Sequence, residues 1–223
     1  MPGVSRTRLD TGKRGASTPF SLALDFLRRL AAPTGAPWTG SDAESWDFLF
    51  ARRIGDLSGL ADRRGRLAAL TDLASRLESV LRPAGVPRVL FHGNYWAGNL
   101  LFDHDGRLTG VVDWDLAETP GPAMLDALHL WAREEALARG LGIGDAVLRC
   151  AGRLQRREPL PEAFEEYAEA VGVAQRLWPA LLVCDWVVHV HQHIEYRTGS
   201  LENPSWLERN IDRFLDRSQS LGL

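Results

Sequence analysis

The residues best suited to chemistry lie in one stretch, Val89 to Asp126, which reads VLFHGNYWAGNLLFDHDGRLTGVVDWDLAETPGPAMLD. Within it His92-Gly93-Asn94 is followed by Asn99 and then, beyond an apolar segment, by Asp113. Two asparagines and an aspartate offer amide and carboxylate oxygens. These are the ligands a hard ion such as magnesium takes when it keeps waters and substrate phosphates in its remaining positions. The chemistry this set points to is phosphoryl transfer.

The elements that must position these side chains can be read from the same stretch. Pro87 to Phe91 is a short apolar strand, and Gly93 permits the turn that follows it. Leu100 to Phe102 and Leu108 to Val112 are strands joined by the tight turn Asp103-His104-Asp105-Gly106, so a hairpin brings Asn94 and Asn99 close to Asp113. Helices are expected on both sides. The first spans Ser21 to Ala32, and a second, capped at Ser41 or Asp42, carries Trp46, Phe48, Leu49 and Phe50. A third runs from Ala61 to Leu81 on leucines spaced by three and four. Beyond the hairpin, Pro122 opens a helix that carries Met124, Leu125, Leu128 and Trp131 and ends at Gly140. Further helices are expected over Asp145 to Leu154, Pro161 to Val171, Pro179 to Tyr196 and Pro204 to Leu215. The fold class is α+β and mainly helical, with a small central β-hairpin. Residues 19–223 form the folded body, and Met1 to Thr18, rich in Gly, Ser, Thr and Arg, is expected to be a disordered leader.

Three ordered motifs resemble the aminoglycoside phosphotransferase and choline kinase-like phosphotransferase family. His92-Gly93-Asn94-Tyr95-Trp96-Ala97-Gly98-Asn99 looks like its catalytic loop, usually His-Gly-Asp, four residues and Asn. Val111-Val112-Asp113-Trp114-Asp115 resembles its metal-binding strand end. Gly121-Pro122-Ala123-Met124-Leu125-Asp126 resembles the Gly-x-Pro-x-x-Asp that enters its next helix, with Ala123 where proline is usual. The resemblance covers about Phe20 to Leu215 and implies the C-terminal lobe of a kinase-like fold.

It also implies roles. ATP and magnesium would be the cofactors, with Asn99 and Asp113 holding the metal and Asp113 bridging it to the phosphates. His92 would orient the catalytic loop and Asp126 would anchor its backbone. The acceptor would be a small-molecule hydroxyl, with Trp96, Asp115, His189 and His193 as candidate substrate contacts; acidic residues such as Asp115 and Glu118 would suit a cationic acceptor. Asn94 stands where the family places its catalytic aspartate. A neutral amide can hydrogen-bond a hydroxyl but cannot take its proton, so impaired transfer is expected. The family's nucleotide-clamping N-terminal lobe has no counterpart in the pattern upstream of Pro19, and Lys13, the only lysine, lies in an unpatterned segment. That lobe is expected to be absent from this chain, or supplied by a separate chain. The alternative is a non-catalytic pseudokinase serving as a binding or regulatory module.

Composition narrows the field. A net charge of -3 and a pI near 6.1 give no basic patch for nucleic acid. No apolar run reaches the roughly 18 residues of a membrane span, and no signal-peptide core is present, so a cytoplasmic location is expected. Cys150 and Cys184 lie in apolar contexts that fit buried free thiols. Asp185, His189 and His193 fall on one helical stripe and allow a third reading, a metal-dependent hydrolase, although no His-Glu-x-x-His pattern is present. The bland alternative is a polar stripe facing a cleft or solvent. Trp178, Trp186 and Trp206 are expected in the core, Tyr95 and Trp96 as packing residues, and the Arg63-Arg64 pair on a solvated helix face.

Overall fold

The computed structural model describes residues 18–34, 46, 50–196 and 198–223. Of the expected leader only Thr18 is among them, and Lys13, Ser41, Asp42, Phe48 and Leu49 lie outside the described residues. Trp46 and Phe50 are described; both are helical and buried.

Helices dominate. Helix α1 (Pro19–Thr34) is opened by Thr18, whose hydroxyl accepts from Ser21 N while Ser21 Oγ accepts from Thr18 N, with Pro19 at the first helical position. Helices α2 (Arg52–Arg63) and α3 (Leu67–Leu81) follow. The unbroken helix expected over Ala61 to Leu81 is corrected here: Gly65 takes φ 65°, and Arg66 N donates back to Ala61 O, closing α2 before α3 begins. The leucine spacing continues across this break, which is why it looked like one helix. Arg64, expected in solvent, instead pairs with Asp212 near the chain's end, and that bond raises its pKa.

The middle of the chain holds four short strands, β1 (Arg88–Phe91), β2 (Leu100–Phe102), β3 (Leu108–Val111) and β4 (Glu118–Pro122). The expected hairpin is β2–β3, antiparallel, with Leu100 opposite Val111 and Leu101 opposite Gly110. The second antiparallel pair, β1–β4, was not expected. Arg88 faces Pro122 and Val89 faces Gly121, so Pro122 closes a strand and does not open a helix.

Helix α4 (Leu125–Arg139) starts after Met124, which adopts φ 77°. Every residue from Leu125 to Ala132 is buried, as befits a helix surrounded by protein. Helices α5 (Ile143–Gln155) and α6 (Glu162–Ala170) lead to α7 (Trp178–Tyr196), which is also buried along most of its length. Helices α4, α5 and α7 pack on one another, and α2 and α3 close over α7. Trp178 and Trp186 lie in this core, whereas Trp206, expected there too, is half-buried at its edge. The chain ends in α8 (Pro204–Leu207), a π turn at Glu208–Asp212 and α9 (Arg213–Arg217). The π turn presents Asn210, whose Oδ1 accepts from Ile143 N at the start of α5 and whose carbonyl accepts from Trp186 Nε1. Among the described residues no single helix is long and apolar enough to cross a membrane.

Candidate active site

The loop between β1 and β2 and the end of β3 meet at one point. Asp113 Oδ2 accepts from Asn94 Nδ2 at 3.1 Å and from Asn99 Nδ2 at 3.2 Å, while Asn99 Nδ2 also donates to Asn94 O at 2.8 Å. Asp113 itself takes φ 67°, a left-handed backbone rare outside glycine and found where a site requires it. Asn99 is buried; Asn94 is half-exposed and Asp113 exposed. Neither Asn99 bond uses its Oδ1. That oxygen and the Asp113 carboxylate form the donor set of a hard cation that also binds water and phosphate, so the residues fit magnesium by type.

Behind this point the loop is held from several sides. Asp126, at the start of α4, accepts from His92 N at 2.7 Å and from Gly93 N at 3.1 Å, one bond to each oxygen. It is 4% exposed, and burial pushes its pKa up to about 7 against the pull of those two donors. His92 Nδ1 accepts from Asn94 N at 3.2 Å, which leaves the ring proton on Nε2 to donate to Val112 O at 3.0 Å. Burial lowers the His92 pKa, so the neutral ring that this pattern requires is also the favoured one. Gly93 has φ 82°, and a Cβ there would lie 2.3 Å from Leu116 O. Only glycine fits. Tyr95 is wholly buried, its hydroxyl donates to Ala23 O at 2.8 Å, and burial raises its pKa.

The other candidates are more scattered. Trp96 is half-exposed, with the Arg133 guanidinium 4.7 Å from its ring centroid. Asp115 is exposed beside Asp113, and the Glu118 side chain lies outside the described residues. On α7, His189 is half-buried, and its ring centroid is 5.7 Å from that of His129 and 4.8 Å from that of His193. His193 Nδ1 lies 2.8 Å from Ser200 Oγ, and its ring stacks near Trp206. Asp185 bonds His129 Nδ1 at 2.9 Å. Among the described residues no group of three or more His, Cys, Asp or Glu is placed to hold a metal ion. Cys150 and Cys184 are free, buried thiols.

Several residues around the loop carry no signal in the sequence. Gln192 Nε2 donates to Gly93 O at 2.8 Å across 99 positions, and the His129–Asp185 pair spans 56. Neither spacing belongs to a local pattern.

Comparison with known proteins gives this geometry a context. No curated protein matches the sequence significantly. Among solved structures, a glucosamine kinase matches with a TM-score of 0.52 at 20% identity, over 90% of this chain and 51% of that one. A structure of glucosamine kinase in complex with glucosamine, ADP and inorganic phosphate matches with a TM-score of 0.53 at 18% identity, over 90% and 53%. At such identities the likeness is one of fold, and this chain spans about half the length of those structures. The sequence model of the phosphotransferase enzyme family matches residues 20–159, which contain the whole catalytic-loop, strand-end and helix-entry series, and on that match the chain belongs to the phosphotransferase enzyme family.

Proposed function

We propose that the chain is the C-terminal lobe of a kinase that moves the γ-phosphoryl group of ATP to a hydroxyl of a small molecule, with chemistry slowed by Asn94. The observation that carries this reading is the convergence of Asn94 and Asn99 on one oxygen of Asp113. Asn99 Oδ1 and the Asp113 carboxylate would hold magnesium, which when bound supplies positive charge against the phosphate oxygens. Asn94 would position the acceptor hydroxyl without removing its proton. Lacking a general base costs ~10²- to 10⁴-fold in rate, yet phosphoryl transfer depends mainly on positioning and electrostatics, so slow turnover survives. His92 and Asp126 would keep the loop in place. One fold relative was solved with a nucleotide and an amino sugar bound, which supports ATP and a small, cationic acceptor approaching Asp115. Trp96, His189 and His193 are the further acceptor contacts. The nucleotide-clamping lobe would come from residues other than these, and the location we propose is cytoplasmic.

One observation favours a second reading, a pseudokinase. Asn94 donates its amide into the Asp113 carboxylate, so the base position is spent on holding the metal position. Calorimetry with ATP, with and without magnesium, followed by turnover on a panel of amino sugars, separates the readings. Native chain and Asn94→Asp are compared. The kinase reading expects magnesium-dependent ATP binding by both, slow native turnover, and a gain of ~10²- to 10⁴-fold in Asn94→Asp. ATP binding by neither sinks the assignment of Asn99 and Asp113 as a magnesium–ATP site on this chain. Turnover confined to Asn94→Asp supports the pseudokinase.

A further inference from the structure

The Gly93 peptide is gripped by two helices that approach from opposite directions of the chain. From α4, the Asp126 carboxylate takes the Gly93 N–H at 3.1 Å. From α7, Gln192 Nε2 gives a hydrogen bond to the Gly93 carbonyl at 2.8 Å. The two helices are also bonded to each other. His129, three residues after Asp126 and therefore on the same face of α4, meets Asp185 at 2.9 Å, seven residues and nearly two turns before Gln192 on α7. His129 and Asp185 are 3% and 2% exposed.

The tautomer of this pair follows from what its other atoms lack. Among the described residues, His129 Nε2 is buried without a hydrogen-bond partner, and so is Asp185 Oδ2. A proton on Nε2 would be an unsatisfied buried donor, so the hydrogen bond is assigned with Nδ1–H donating to Asp185 Oδ1. The pair leaves two polar atoms unmet in the core, a burden on stability that a purely apolar contact would avoid. What it supplies is a directed bond that fixes how α4 and α7 sit against each other beside the loop they both hold.

We propose that Gln192 and the His129–Asp185 pair are positioning residues that, together with Asp126, set the Gly93 peptide and so the direction in which Asn94 presents its side chain. The inference deepens the phosphotransferase reading, since it concerns the same loop. Gly93 cannot compensate for a lost grip by leaning elsewhere, because Leu116 O already closes on its Cα. Asn94 is the next residue and is tied back to His92, so a rotation of the Gly93 peptide carries Asn94 with it.

The test is residue-resolved amide hydrogen exchange on the full chain without nucleotide, comparing native protein with Gln192→Leu, His129→Phe and His129→Asn. Gln192→Leu is expected to speed exchange at the His92 and Gly93 amides by about tenfold or more, while Val147 in α5 stays unchanged. His129→Phe is expected to do the same. His129→Asn, which keeps a donor near the Nδ1 position, is expected to restore native exchange. A merely structural loss would raise the Val147 and Gly93 rates together. Unchanged Gly93 exchange in Gln192→Leu overturns the proposal, and so does a uniform rise. Gln192 is half-buried, so this variant keeps the test open should His129→Phe fail to fold. Failure to bind ATP would remove the proposed function without touching this result, because exchange is read with no ligand present.

Discussion

Replacing Asp126 with asparagine should reverse the sign of its effect on stability between acid and neutral pH. The native carboxyl is buried and its pKa is pushed up to about 7, against an ordinary value of 3.8. Below 3.8 the group is protonated whether folded or not, and no stability is lost. Between 3.8 and 7 the unfolded chain gives up the proton while the folded chain keeps it, so native stability falls as pH rises through this window. At about 1.4 kcal/mol per pH unit the loss reaches about 4 kcal/mol by neutrality. The substituted asparagine would not titrate. It would accept from one of the two amides of His92 and Gly93 and turn its own NH₂ toward the other, which costs about 1–3 kcal/mol at every pH. Asp126→Asn should therefore be the less stable protein near pH 4.5 and the more stable one near pH 8. Urea denaturation of both proteins at pH 4.5, 6 and 8, with unchanged m-values, reads the difference directly, because all other titrating groups are common to the two. A constant difference across that range would refute the reasoning. It would mean that the two backbone donors outweigh burial and keep Asp126 ionised throughout.

Other perturbations test other parts of the fold. Gly93→Ala should destabilise the chain by more than about 2 kcal/mol, because the new Cβ meets Leu116 O at 2.3 Å on a left-handed backbone; thermal denaturation checks it. Tyr95→Phe removes a buried hydroxyl that donates to Ala23 O and should cost about 1–3 kcal/mol, read by urea titration. Asn210→Ala should cost a similar ~1–3 kcal/mol by leaving Ile143 N without an acceptor, and it should speed amide exchange at the start of α5 before anywhere else.

The sequence made the catalytic-loop residues legible because their chemistry and spacing are local. Asn94, Asn99 and Asp113 are separated by a five-residue step and a tight hairpin, and short apolar runs on either side of Asp103-His104-Asp105-Gly106 mark that hairpin well. Strand β4 was hidden because Thr119-Pro120-Gly121-Pro122 carries the residues least suited to a ladder. It forms only because β1 offers an edge, and Pro122 sits at its last position. The break at Gly65 was hidden for the opposite reason, since the leucines of α2 and α3 keep a helical spacing across it. The polar contacts that hold the loop were illegible on other grounds. A lone glutamine or histidine in an apolar helix does not announce its partner, and Gln192 meets Gly93 only after α7 has packed against α4.

The π turn at Glu208–Asp212 sets the phase of the chain's last segment. It holds one residue more than an ordinary helical turn, and everything beyond it is phased by that surplus. Winding the same number of residues as a regular helix would rotate the following side chains by about 100°. Phe214, stacked 4.0 Å from Trp186, would leave the core, and Asp212 would swing away from Arg64. The exposed turn around His104 and Asp105 can gain or lose residues at little cost. The segment after Leu207 can absorb only the loss of its one surplus residue, so length variation among natural relatives of this chain should be found mainly in the hairpin tip.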